Sequence, residues 1–527
     1  MESIDLLNGI GQDDPLSMIL YVIYDADLLE IGNKKNKDSL GYVDDVTFIT
    51  IGKDLEESTR QLEHMMIKED GTLQWGKGHN SKFEVTKSVV LHATRRTQLD
   101  LRKGRGRIPI NKPPLQIEGQ QIQAVNSFKY LGVKINTQLR WKEQAQRAAA
   151  NTTKWILQFQ RLTKPCTGVG SKLMRQLYLA AAIPKITYGI DTWYIPPHKS
   201  VGATKNSGLV GTLRSLQKLQ QMATLAIMDV LHMSPTDLLD MHTSILLIEL
   251  ALLKAYHRTL VRMLALHATH PLSQVITNAK CTPPKNHPGP IDLLLLNFKL
   301  SGTKMKRTVL AVKDPNQCQR FRVEIPDTRD LSIEKEDLNQ ANYKVFVDGS
   351  GHKRGIGVAV VIFKKESRQP LEHLKAYLSP PTTHNTYEAE AVGGILAIWL
   401  IQSTAGTDFK NVSLYIDKQA LITTLVSPKP TSGQYLIHAF SQVANNTKTK
   451  LRICWISSHS EVKGNELADS LAKEAAAGKA SCCADLLPLL RKLLPASASA
   501  TKQEHFAHLN RKWKSAWLSK RTVPQGD

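Results

Sequence analysis

Residues 342–350 read NYKVFVDGS, a run of apolar and β-branched residues that ends in Asp348 and is followed by Gly349 and Ser350. Such a run predicts a buried strand delivering a carboxylate at its end, next to a glycine where backbone can approach a ligand with no Cβ in the way. The same phrase recurs at 411–417, NVSLYID, and puts Asp417 at a second strand end. Around these two lie GIGVAVVIF at 355–363, a helix from about Tyr387 to Ile401, a helix from about Lys418, LRICWIS at 451–457 and a last helix near 464–477. Strands alternating with helices describe an α/β domain, with both aspartates near one edge of its sheet.

Two helices add acids to that edge. Glu388 and Glu390 fall early in the helix opened by His384-Asn385-Thr386, and Asp469 falls in the helix begun by Gly464-Asn465-Glu466. Any single Asp at a strand end or in a first helical turn is commonly a cap or a solvated side chain. Gathered together, such acids repel one another and raise each other's pKa values unless cations neutralise them. Magnesium suits the task, because it prefers oxygen ligands and can bind a phosphate at the same time. Two such ions about 3.5 to 4 Å apart support phosphodiester hydrolysis.

DGS at 348–350, YEAEA at 387–391, YIDKQA at 415–420 and WISSHSEVKGNELADSLAKEA at 455–475 resemble, in order, the motifs of the type 1 ribonuclease H family. The resemblance covers about 342–478. It implies a five-stranded mixed sheet with helices, dependence on Mg2+ (two ions, with Mn2+ as a substitute), and endonucleolytic cutting of the RNA strand of an RNA–DNA hybrid. It also implies roles for particular residues. Asp348, Glu390, Asp417 and Asp469 match the metal-binding carboxylates, and His459 matches a mobile histidine that assists proton transfer or product release. Gln419, together with Gly349 and Ser350 beside the first acid, is expected to contact nucleic acid. Glu390 is preferred to Glu388, which is expected to be a first-turn charge favoured by the helix dipole. Ser457-Ser458 stand where the family often has Pro-Gly, so the loop that carries His459 should differ in shape.

The rest of the chain is read from composition outward. A length of 527 residues allows about three to four domains, and 42% hydrophobic with 22% charged residues excludes a wholly disordered or disulfide-framework protein. The 69 Lys and Arg against 47 Asp and Glu leave a net charge of +22, which points to polyanions and first of all to nucleic acid. Six scattered cysteines without a CxxC favour reduced thiols and no structural zinc. No basic leader precedes an apolar segment, and the longest apolar stretches fall short of the roughly 20 residues that cross a bilayer, so the expectation is a soluble intracellular protein with no membrane partner.

In the first third, NGIGQDDPLSMILYVIYDADLL at 8–29, GYVDDV at 41–46, KFEVTKS at 82–88 and SFKYLGVKI at 127–135 resemble the later palm motifs of reverse transcriptases from non-LTR, LINE-like retrotransposons. On that resemblance Asp44 and Asp45, at the turn of an expected hairpin, match the paired catalytic aspartates. Such polymerases need a further aspartate and nucleotide-binding fingers, and the chain is expected to begin after both. Asp13 stands where the family usually has Gly. The pair is therefore expected to be vestigial, without polymerase activity.

The expected layout is a truncated palm at 1–140, a helical thumb-like or connection region at 141–275, a linker and mixed segment at 276–341, the ribonuclease H domain at 342–478 and a basic helical tail at 479–527. The fold class is thus multidomain, α/β and α, and the expected partners are RNA–DNA hybrid and other nucleic acid. In the tail, Trp513 and Trp517 share one helix face, suited either to stacking on bases or to docking on the protein's own surface. A nucleic-acid-binding relic without turnover is the first alternative, and an RNA-directed DNA polymerase the second.

Overall fold

The computed structural model describes residues 14–99, 106–162, 168–198, 204, 208–281, 289–298, 300, 302, 304–308, 319–352, 355–365, 367–404, 409–429, 433–458, 461–482 and 484–521. The chain divides into two compact units, Met1–Ala150 and Asn151–Asp527.

The first unit is built from short local pairings. The helix Pro15–Tyr24 starts at Pro15, with the Asp14 side chain accepting from the Leu16 N–H, as a proline at a first turn and an Asp cap favour. The hairpin of Lys37–Tyr42 and Asp45–Thr50 pairs Tyr42 with Asp45, so Asp44 sits in the turn as expected and Asp45 opens the second strand. Residues 115–136 fold into two further hairpins, as their alternation and glycines predict. Both turn on glycine in the left-handed region, Gly119 at φ 77° and Gly132 at φ 85°, which a glycine occupies without strain. Among the described residues these hairpins remain separate two-stranded sheets.

The second unit begins with helices, as the Leu/Ala/Met-rich periodicity predicts. Val210–Met228 and Ile248–Leu264 are two of the longer ones, and Tyr256, Leu260 and Leu264 of the latter pack with Leu294, Leu295 and Met305. No described helix is long and apolar enough to cross a membrane. A linker and mixed segment is expected over 276–341; residues 282–288 and 309–318 lie outside the described ones, and folded elements occur among the rest. Pro290 opens the helix Pro290–Phe298, whose Leu294 and Leu295 are buried.

Further along lie β1 (Arg322–Glu324) and α1 (Arg329–Asp337). The sheet continues with β2 (Tyr343–His352), β3 (Gly355–Lys364), β4 (Pro370–Ser379), β5 (Asn411–Ile416) and β6 (Lys450–Trp455). The helices of this domain are α2 (Thr386–Ser403), α3 (Gln419–Val426), α4 (Gln434–Asn446) and α5 (Lys463–Ala476), followed by α6 (Ala498–Arg521).

These strands make one sheet in the order β4-β3-β2-β5-β6-β1. The first three are antiparallel neighbours, while β2, β5, β6 and β1 run parallel. Six strands thus replace the five expected. The extra one, β1, has three residues, too few for alternation to be visible in sequence, and it joins through backbone pairing to β6. One face of the sheet packs Val345, Val347 and Val358 with α2 and α4, where Gly393 and Gly394 let the helix sit close. The other packs Phe346, Val361 and Tyr415 against Ala468 of α5. α6 leaves the sheet domain and lies along Ile248–Leu264, with Lys254 over the Phe506 ring at 3.6 Å. Trp513 and Trp517 are half-buried and line one cavity together with Lys218, Gln221, Ile248 and Glu249.

Candidate active site

Parallel pairing between β2 and β5 ends at Val347 and Ile416. β2 does not stop there. It runs on to His352, paired only with β3, so the expectation that the strand ends at Asp348 is corrected. β5 does stop, and the chain turns away into α3. Asp348 and Asp417 are each the first residue past the last rung of that ladder, side by side at a notch in the sheet.

α2 supplies the third acid. Its N-terminus is fixed by a capping box in which the Asn385 side chain accepts from the Glu388 N–H and Glu388 accepts from the Asn385 N–H. One turn in, Glu390 is fully buried, and its Oε1 accepts from the Gly349 N–H at 2.9 Å. Carboxylate oxygens of Asp348, Glu390 and Asp417 all lie within 4.8 Å of one another. Glu390 Oε2 is buried without a hydrogen-bond partner.

That grouping is electrostatically unfavourable by itself. Burial first, then the charges of Asp417 and Asp469, push Asp348 up to about 7. Burial, then Asp417 and Asp348, hold Glu390 well above the usual carboxylate range, against the opposing Gly349 N–H. Two lysines offset part of the charge. Lys418 Nζ lies 3.2 Å from Asp417 Oδ1, and Lys473 Nζ lies 2.6 Å from Asp469 Oδ2 on the next turn of α5. Trp455 also fixes the notch, donating its indole N–H to the Asp417 carbonyl at 3.0 Å. An orphaned buried carboxylate oxygen within a crowd of acids fits a hard divalent cation, which takes oxygen ligands and removes the repulsion.

The other expected positions distribute as follows. Asp469 stands close enough to raise Asp348 but is ion-paired to Lys473 and outside the close triad. Ser350 is half-buried beyond Asp348, and Gln419 is exposed at the first position of α3. His459 lies outside the described residues. Asp44 and Asp45 are exposed in the first unit, where Asp25 is raised by burial and then by the Asp44 charge.

Gly349 is needed by the fold itself, since a Cβ there would come within 2.8 Å of Ala389 Cβ and of the Glu390 nitrogen. Glu388 stands in the first turn of α2, as expected, but it is 1% exposed, and burial pushes it up to about 7 against hydrogen bonds from Ser497 and Asn385. Lys418 and Lys473 were not anticipated as partners of the acids. Their signals were adjacency to Asp417 and the i,i+4 step from Asp469.

Residues 340–477 match the RNase H family model. Solved structures are similar over this segment. RNase H1 from the archaeon Halobacterium salinarum NRC-1 is 18% identical, over 26% of this chain and 98% of that one, with a TM-score of 0.21. The N-terminal RNase H domain of a Mycobacterium tuberculosis protein is 16% identical, over 26% of this chain and 96% of the other, with a TM-score of 0.22. LC11-RNase H1, solved in complex with an RNA/DNA hybrid, is 17% identical over 26% and 97%, also with a TM-score of 0.22. No curated protein matches the chain. The second unit therefore contains an RNase H domain, in a mixed sheet of six strands.

Proposed function

We propose that this protein hydrolyses the RNA strand of RNA–DNA hybrids with the help of Mg2+, for which Mn2+ is a substitute. The observation that carries the reading is the convergence of Asp348, Glu390 and Asp417 within 4.8 Å inside a segment matching the RNase H family. These three residues, with Asp469 beside them, would hold the ions. When bound, two such ions supply an activated water and charge stabilisation at a phosphodiester.

The chain's own groups do the rest. Glu390, locked to the Gly349 N–H, aims its remaining oxygen into the notch, and Trp455 holds the backbone of Asp417. Lys418 and Lys473 keep Asp417 and Asp469 ordered before an ion arrives. Gln419 at the mouth of α3, with Gly349 and Ser350, contacts the hybrid, and His459 assists proton transfer or product release. Hybrid selection rests on helix shape and the 2′-hydroxyl rather than on base sequence. We read the remainder as retrotransposon-derived, with a palm-like first unit carrying Asp44 and Asp45, and thumb-like helices after it.

The test is incubation of the purified protein with labelled RNA–DNA hybrid and Mg2+, beside an Asp417→Asn variant. Cleavage by the unaltered chain only supports the proposal. Binding without cleavage would favour a relic, and templated extension of a primer would favour a polymerase.

A further inference from the structure

Asp348 and Asp417 stand just past the C-terminal end of the parallel β2–β5 ladder. Beside the opposite ends of β5, β6 and β1 is an open cavity of about 1150 Å³. Arg320, Arg322, Lys410, Lys448, Lys450 and Arg452 line it, and among the described residues no acidic one does.

Strand pairing itself forces part of this crowding. Arg322 and Arg452 are register partners across β1 and β6, and like charges directly opposite one another destabilise a sheet. Glu324 lies 3.7 Å from Arg452, but it also holds Lys335 at 2.8 Å, so one carboxylate serves two cations. Charges on an edge strand do protect against aggregation, which would account for Arg322. It does not account for Arg320, Lys410 and Lys448, which lie in loops outside the strands and face the same cavity.

Asn411, Asn446 and Thr449 add neutral polar groups to the wall. The aromatic lining residue, Phe409, is buried against Tyr343 with ring centroids 4.4 Å apart, so its face is not open for base stacking. A wall of cations and polar groups without an open ring reads phosphates and not bases.

We propose that this cavity is a second nucleic-acid contact, which binds the phosphodiester backbone of a strand without regard to sequence. The six residues of β5 separate it from the carboxylates, roughly 20 Å at about 3.3 Å per residue. It is a site apart from the cutting centre. A strand held at both points is anchored beyond the position where it is cut.

The experiment is fluorescence anisotropy of a labelled oligothymidylate on the full chain across a salt series, in EDTA so that neither result depends on turnover. Replacing Arg320, Lys448 and Lys450 together by alanine should weaken binding and lower the slope of log K against log salt by about 2, from about 0.7 per phosphate contact on a single strand. A charge-conserving variant, Arg320→Lys with Lys448→Arg and Lys450→Arg, should keep the unaltered slope, which separates loss of charge from loss of fold. An alanine variant that keeps its fold, its affinity and its slope would overturn the proposal.

Discussion

Gly349 and Glu390 are joined by a hydrogen bond of 2.9 Å from the backbone N–H of the strand to Oε1 of the helix, at a point where the two backbones nearly touch. This single bond sets the geometry of the acid cluster. It uses one carboxylate oxygen of Glu390 for positioning and leaves the other buried without a partner. Three experiments follow from that arrangement, and a fourth from the docking of α6.

Glu390→Gln should lower the rate of hybrid cleavage on the order of 10³-fold, because several kcal/mol of charge stabilisation depend on that ligand set. Glu388→Gln should leave the rate within a few-fold, since Glu388 is enclosed by the Asn385 cap and Ser497. Initial rates of the two variants decide between the acids, which are two residues apart.

At pH 7 and above, Asp348→Asn should raise the thermal midpoint in the absence of divalent ions, because it removes a carboxyl whose ionisation is opposed by burial and by the charges of Asp417 and Asp469. A gain of about 1 kcal/mol corresponds to roughly 2 to 4 °C for a domain of this size. Adding Mg2+ should stabilise the unaltered chain and have a much smaller effect on the variant. Calorimetry with and without Mg2+ measures both.

Gly349→Ala should destabilise the domain by about 1 to 3 kcal/mol, since the new methyl would meet Ala389, Thr386 and the Glu390 nitrogen at 2.8 to 2.9 Å. Denaturant unfolding gives the value. The variant should lose activity as well, because any shift of α2 carries Glu390 with it.

His257 and His505 stack with ring centroids 3.8 Å apart where α6 docks on Ile248–Leu264. Burial first, then each other's neighbourhood and Lys502, push His257 down to about 3; burial and His508 push His505 down to about 4. Both stay neutral in the folded chain, whereas the unfolded chain binds a proton at each near pH 6.5. Their contribution is therefore intact above about pH 7 and falls as pH drops from 6.5 toward 4. At pH 5, His257 alone accounts for about 2 kcal/mol of that loss. Thermal midpoints from pH 8 to pH 5 should fall less in a His257→Phe variant than in the unaltered chain.

How much of this was legible in the sequence depends on how local the cause is. Asp348 and Asp417 could be read because each ends an apolar run, a pattern written within seven residues. The Asn385 cap could be read for the same reason. The burial of Glu388 could not, since it depends on Ser497, more than a hundred residues away, and on Gly433 packing beside it. The three residues of β1 carry no periodicity, and only their pairing with β6 makes them a strand. The close approach of α2 to Gly349 could not be read either, since it depends on Thr386, Ala389 and Glu390, about forty residues along the chain.

An RNA–DNA hybrid with each strand labelled separately, supplied in Mg2+ and then in EDTA, tests the cutting centre itself. Internal cuts should appear in the RNA strand, the DNA strand should stay intact, and neither EDTA nor Asp417→Asn should permit cutting. Protein that binds the hybrid in Mg2+ and leaves both strands whole would contradict it.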